Sequence, residues 1–442
     1  MNQITKEIYK KLSEIQLFDV HTHMDASHLS ARGLHDILLY HMVISDLYSA
    51  GCPDGARLSE SPDEAEVEYR IERAIPYLPY IQNTSCYWGM RLILCDLYKW
   101  DKPITLENWR ELHEIIKKKA ADPGWAREIL KKANIIRTCT ELWRRHDGSA
   151  DDIFQYCLEW AFFTRSQWGQ FDTALLELEH AWNQETPGAP LPVTINRDEL
   201  NFTRTIETIA DVKAAVKHYC DSIPYDSVLC TASHFSTDIS YKHVTETEME
   251  FALKNRRSAG ETERDIYANY INELFISTIE AGGRDIVLNF SIGAEPLPFE
   301  TGSKLKADTL FELAGLFSRH PGVSFVLYLA SEHMNQSMCT ICRELPNVAV
   351  AGYWWHNFFP SAIRKVMEDR LDMLSVSKQL GFFSDAYCAD WAYAKSIIVK
   401  KQLTNVLEGK INQEQYTVEQ AVMIGRQILN ETATKLAGMS AP

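Results

Sequence analysis

The sequence predicts an α/β chain: a (β/α)8 barrel of the TIM type with a helical subdomain inserted after its first strand. Three observations carry that expectation. Eight short β-rich apolar runs recur along the chain, helical stretches separate most of them, and a His-Thr-His triplet closes the first run. The runs are 18–23, 135–140, 192–197, 227–234, 285–291, 324–331, 348–355 and 380–385. Near-continuous apolar strands alternating with helices imply a parallel sheet covered on both faces. Eight such units point to a closed barrel, with its chemistry at the C-terminal ends of the strands.

Spacing locates the extra length. Residues 24–134 separate the first two runs, far more than one crossover helix needs. The expected division is 1–24 for an N-terminal helix and strand 1, 25–133 for the inserted helical subdomain, and 134–442 for the rest of the barrel and the C-terminal helices. The insert holds a turn at 51–55, an acidic helix beginning near Ser61 and a helix over 109–119, and is expected to cover the barrel mouth. A second irregular stretch, roughly 235–261, follows the fourth run and is expected to contribute a lid. At the N-terminus Ile4, Ile8, Leu12 and Ile15 form a helical stripe rather than the apolar core of a signal peptide.

Charge narrows the function classes. With 45 Lys and Arg against 60 Asp and Glu, the formal net charge is −15, and no basic stripe is present. Nucleic acid and membrane surfaces are therefore poor partners, whereas a small anionic metabolite fits if an Arg or a metal ion supplies a local positive field. The ten cysteines are spread along the chain, unlike the framework of a small secreted domain. Cys339 and Cys342 form a single CxxC, read as buried apolar residues one helical turn apart. No apolar run approaches a membrane span. These features fit a reducing cytoplasm, and self-association into a homo-oligomer is left open.

His21 and His23 are the strongest chemical signal. On a strand, residues i and i+2 share a face, so both imidazoles project together and supply half of a transition-metal site. Asp385 closes the eighth run, and in a barrel the eighth strand neighbours the first, so its carboxylate reaches the same ion as ligand or base. Helix capping is the plainer reading of Ser384-Asp385. Arg197 ends the third run and is a candidate fork for a substrate carboxylate. Trp354 and Trp355 offer an indole face for a sugar ring, or simply core packing. His333 and His234 lie at the ends of the sixth and fourth runs, as mouth candidates for which a structural role is the default.

With these residues in place, the chain resembles uronate isomerase, a member of the amidohydrolase superfamily, in a divergent branch. The anchors are 19–23 (Asp-Val-His-Thr-His), Tyr40-His41, 196–198 (Asn-Arg-Asp), 352–355 (Gly-Tyr-Trp-Trp) and Ser384-Asp385, with the 370–374 and 394–398 helices also similar. The resemblance implies one divalent ion, usually zinc, bound by His21, His23 and Asp385. It implies interconversion of an aldose hexuronate and its ketose form, such as glucuronate with fructuronate or galacturonate with tagaturonate. Arg197 would hold the substrate carboxylate and His41 would assist ring opening. Two positions depart from the family pattern. Met42 stands where the family has Tyr, and Tyr387 stands where it has Arg. Tyr387 is the candidate replacement for the missing phenol. The alternatives are a metal-dependent hydrolase or lactonase of the superfamily acting on a sugar-acid-like substrate, and a catalytically silent sugar-acid binder.

Overall fold

The computed structural model describes residues 3–53, 64–159, 171–184, 202–223, 229–233, 239–283, 285–293, 307–330, 332–353 and 358–438. Within them, one eight-stranded sheet runs in sequence order: β1 (Leu17–Asp19), β2 (Ile135–Glu141), β3 (Phe154–Glu159), β4 (Leu229–Ser233), β5 (Val287–Ile292), β6 (Ser324–Leu329), β7 (Val348–Ala351) and β8 (Gln379–Leu380). Every neighbouring pair is parallel. Beyond β1 and β8 the backbone remains paired. Val20 N–H donates to Phe382 O (3.2 Å), Asp385 N–H to His21 O (3.0 Å) and His23 N–H to Ala386 O (2.9 Å). The chain segments leaving the first and last strands are thus neighbours.

The alternation of strand side chains separates two apolar layers. Leu288, Phe290, Phe325 and Leu327 pack with the helices Glu261–Gly282 and Ala307–Arg319 on one side. Val287, Val326 and Tyr328, one residue out of step, pack with Phe18, Val20, Cys139 and Phe383 on the other. β5 is buried along its whole length, as a strand covered on both faces must be.

The described stretch between β1 and β2 is built mainly of helices, including Leu34–Leu38, His41–Ser49, Glu64–Ala74, Ser85–Tyr98, Trp109–Ala120 and Trp125–Ala133. They share one apolar cluster with the chain's terminal helices. Leu47, Ile71, Met90 and Trp109 belong with Ile8 and Leu12 of Gln3–Ser13 and with Trp391 and Leu403 of Ala389–Asn412. Cys339 and Cys342 lie fully buried in the helix Asn335–Glu344, as expected. Among the described residues no helix is long and apolar enough to cross a membrane.

Two expectations need correction. The third strand is Phe154–Glu159, not 192–197, which lies outside the described residues. Its connection from β2 is only 142–153, a 3-10 turn and bends with no helix, so the strand–helix alternation that exposes the other strands is missing here. The stretch after β4 is not irregular throughout. Glu246–Lys254 is a helix started by a capping box between Thr245 and Glu248 and packed through Met249, Ala252 and Leu253. That Thr-x-x-Glu pattern was legible in the sequence.

Gly352 couples the end of β7 to the segment after β8. Its φ is +50°, its carbonyl accepts a 2.7 Å bond from the buried Arg370, and an added Cβ would sit 2.0 Å from Phe383 Cβ. Gly352→Ala is therefore expected to destabilise the fold by about 2 to 4 kcal/mol, from overpacking plus left-handed strain. Urea unfolding measures this, and a loss below about 0.5 kcal/mol would show that the loop re-forms without strain.

Candidate metal centre

His21 and His23 follow the end of β1 at Asp19, and their rings meet with Nε2 atoms 3.3 Å apart. His21 is 5% exposed and stacks on Phe383, with centroids 4.9 Å apart and planes 14° from parallel. Asp385 Oδ1 lies 3.2 Å from His23 Nε2 and 3.7 Å from His21 Nε2. Two nitrogens and one carboxylate oxygen thus form a small triangle. Tetrahedral ligands held about 2.1 Å from one ion stand about 3.4 Å from each other, so this donor set fits a transition-metal ion. His21, His23 and Glu141 also offer one ligand atom each within 4.8 Å of one another.

The triangle rests on a buried polar framework. Asp19, fully buried on β1, accepts from Thr138 Oγ1 (3.0 Å) on β2 and from Ser384 N–H (2.8 Å) after β8. Burial lifts its carboxyl to about 7 even though those hydrogen bonds favour the anion. Asp385 itself has φ +51°, a conformation that L residues rarely adopt. Its carbonyl is held from below by Tyr40 OH (2.7 Å) and Lys395 Nζ (3.2 Å). Lys395, 1% exposed, also donates to Tyr40 OH and to Ser384 O. Burial pulls its ammonium down to about 8, with Asp385 acting in the opposite direction.

Charges at the triangle are strongly interdependent. Burial, reinforced by the neighbouring His23, pushes His21 down to about 4. Burial also acts against a charged His23, but Glu141 and Asp385 on either side outweigh it and raise the ring to about 9. Burial opposes the anion at both carboxylates as well. His23 nevertheless holds them below the usual range, helped by Arg144 at Glu141 and by Lys395 at Asp385. A cation, whether a proton on His23 or a metal ion, is what this cluster accommodates.

Tyr387 and His41 stand beside it. The Tyr387 ring lies 5.0 Å from His23 and 5.6 Å from His41, and is 36% exposed. His41 opens the helix His41–Ser49. Its Nδ1 is buried without a hydrogen-bond partner among the described residues, and burial lowers the ring to about 4, so the imidazole is neutral. Met42 turns away and packs against the helical core. His333 is exposed in the turn Glu332–Met334, with no hydrogen bond or ion pair to His21, His23 or Asp385 among the described residues. Arg197, Trp354, Trp355 and His234 lie outside the described residues.

Sequence reasoning missed Glu141, because it ended the second strand at Thr140, one residue short. An acid closing an apolar strand at the C-terminal edge of the sheet was the available signal. Lys395 and Tyr40 were visible only as parts of similar segments, with no role.

No protein-family profile and no curated protein matches the sequence. Solved structures do. By its parallel sheet the chain belongs to the α/β class, and it shares its fold with uronate isomerases. One from Thermotoga maritima is 14% identical, with a TM-score of 0.76 over 99% of this chain and 97% of that one. A glucuronate isomerase from Caulobacter crescentus is 11% identical, with a TM-score of 0.79 over 99% and 94%. A uronate isomerase from Bacillus halodurans is 14% identical, with a TM-score of 0.70 over 100% and 98%. At these identities the likeness establishes the fold.

If Lys395 and Tyr40 hold Asp385 in its left-handed conformation, Lys395→Met leaves two buried carbonyls short of donors. It is expected to cost about 2 to 4 kcal/mol. Tyr387→Phe, at a partly exposed ring, should stay within about 0.5 kcal/mol. Chemical denaturation of both variants checks the contrast, and equal effects would refute it.

Proposed function

We propose that the chain is a metal-dependent enzyme of the uronate isomerase type, built on a closed (β/α)8 barrel and acting on a hexuronate or related sugar acid. The hydrogen bonds from Val20 and His23 to the segment after β8 support closure of the sheet. The observation that carries the functional reading is the convergence of His21 Nε2, His23 Nε2 and Asp385 Oδ1 beside His41 and Tyr387. It stands in a fold shared along nearly the whole chain with uronate isomerases.

His21, His23 and Asp385 would hold one divalent ion, zinc being the first candidate. When bound, it supplies Lewis-acid polarisation of substrate oxygen. Aldose–ketose isomerisation moves a proton between adjacent carbons, so it needs a base and a group to return the proton. His41, neutral through burial, is suited to take the hydroxyl proton during ring opening. Asp385 stays anionic and is the second base candidate. Tyr387 extends a phenol beside His23 and is the candidate for returning the proton. Arg197 is assigned the substrate carboxylate, with Trp354, Trp355 and His333 as further contacts.

A second reading is hydrolysis of a sugar-acid lactone or similar substrate. The packing of Met42 into the core favours it, because no phenol follows His41. So does Tyr387, because a neutral phenol cannot supply the fixed cation that stabilises an enediolate.

Elemental analysis is expected to find about one divalent ion per wild-type chain and much less in His21→Ala or Asp385→Asn, with folding largely retained. Undiminished metal in both variants would remove the site assignment. In assays of uronates and aldonolactones, wild-type uronate isomerisation is expected to be slow. Each missing acid–base or electrostatic group commonly costs on the order of 10² to 10³ in rate. The Met42→Tyr, Tyr387→Arg double variant should gain isomerase turnover. Ordinary wild-type turnover that Tyr387→Phe leaves unchanged would refute the role given to Tyr387, and lactone hydrolysis well above isomerisation would select the second reading.

A further inference from the structure

Glu141 is a charged group in direct contact with His23 that neither the sequence motifs nor the proposed chemistry uses. It ends β2, is 5% exposed, and places Oε1 3.2 Å from His23 Nδ1. Its other oxygen accepts Arg144 Nε at 2.7 Å and Thr140 Oγ1 at 3.4 Å. The surroundings are themselves tied down. The single Thr140 hydroxyl proton is shared with Met24 O, the nearer acceptor at 3.0 Å, Arg144 O accepts from Ala26 N–H (3.2 Å), and the Arg144 guanidinium lies 4.0 Å from the Trp143 ring. Glu141 is thus fixed relative to the segment that carries His23.

The two nitrogens of an imidazole face diverging directions, so one ring serves an ion through one nitrogen only. His23 Nε2 faces His21 Nε2 and Asp385, which leaves Nδ1 for Glu141. We infer that Glu141 is a positioning residue of the metal centre. It accepts the Nδ1–H of His23, fixes the tautomer with Nε2 free, and holds the ring against rotation, while Arg144 keeps the carboxylate itself in place. The inference rests on the metal reading of His21, His23 and Asp385. The alternative is that Glu141 itself ligates the ion, since His21, His23 and Glu141 offer one ligand atom each within 4.8 Å of one another.

Partners of this kind typically change metal affinity by about 10- to 100-fold. The test loads the full chain with Zn(II) against a chromophoric chelator, then with Co(II), whose visible absorption reports coordination number. Glu141→Gln is expected to bind Zn(II) at least about tenfold more weakly, with Co(II) band shape and intensity unchanged. In wild type loaded with Zn(II), NMR of the 15N-labelled histidine rings should show a protected Nδ1–H on His23. That measurement stands even if the variant fails to fold. Equal Zn(II) affinities, or an unprotonated His23 Nδ1, would overturn the positioning role while leaving the metal centre intact. A Co(II) spectrum in Glu141→Gln that signals a lost ligand would overturn it by making Glu141 a ligand. Wild type that takes up no ion would overturn both this role and the metal reading beneath it.

Discussion

The junction between the segments leaving β1 and β8 is the constraint on which the rest depends. His21 and His23 come from one side of it and Asp385 from the other, so the triangle exists only while those segments stay in register. Backbone bonds from His21 O to Asp385 N–H and from His23 N–H to Ala386 O set that register. Asp19 bolts it to β2 by bonding both Thr138 and Ser384. Lys395 closes it from below at the carbonyls of Ser384 and Asp385. Burying a lysine and an aspartate here costs desolvation energy, offset because each is fully hydrogen-bonded. The left-handed turn at Asp385 follows from the same arrangement. The carbonyl points down to Tyr40 and Lys395, which leaves the side chain to face the histidines.

What the sequence revealed and what it hid divide along physical lines. His21 and His23 were legible because reading 18–23 as a strand puts them on one face, although β1 ends at Asp19 and the two rings meet just beyond it. Asp385 was legible because the barrel expectation sets the end of the eighth strand beside the end of the first, and the segments leaving those two strands are indeed hydrogen-bonded to each other. Seven of the eight strands were legible as apolar runs between helices. β3 was not, because the short 142–153 link holds no helix and Phe154–Glu159 mixes polar with apolar residues. Glu141 was hidden by a one-residue error in a strand end, the least certain part of any such reading. The polar framework could not have been foreseen, since Lys395 and Tyr40 lie far apart in sequence and become partners only once the sheet has formed.

At 11–14% identity to the uronate isomerases it resembles, the chain differs from them at most positions while sharing their fold. Cores tolerate such turnover if volume and pattern are kept. A catalytic group tolerates none, because a proton donor cannot be replaced by shape. Met42 and Tyr387 therefore weigh more against an inherited reaction than hundreds of core substitutions weigh against an inherited fold. Met42 serves the apolar core next to His41, while Tyr387 brings a phenol to the same neighbourhood from the opposite segment. On the proposed reading, a phenol near His41 is thus supplied by a different residue.

Charge arithmetic indicates which substrates such a centre would favour. Asp385 and Glu141 contribute two negative charges and Lys395 and Arg144 two positive, so the fixed groups around the histidines cancel. Asp19, which burial lifts to about 7, adds a fraction of one negative charge. His21 is neutral through burial, and metal ligation keeps His23 neutral too. A divalent ion added to this near-neutral set makes the pocket locally positive by one to two charges, inside a chain whose overall charge is −15. Burial of these groups strengthens that local field, whereas the distant surface carboxylates are screened by salt. On the proposed reading, the centre would then draw an anion that the molecule as a whole repels, which is the discrimination that a sugar acid requires over a neutral sugar.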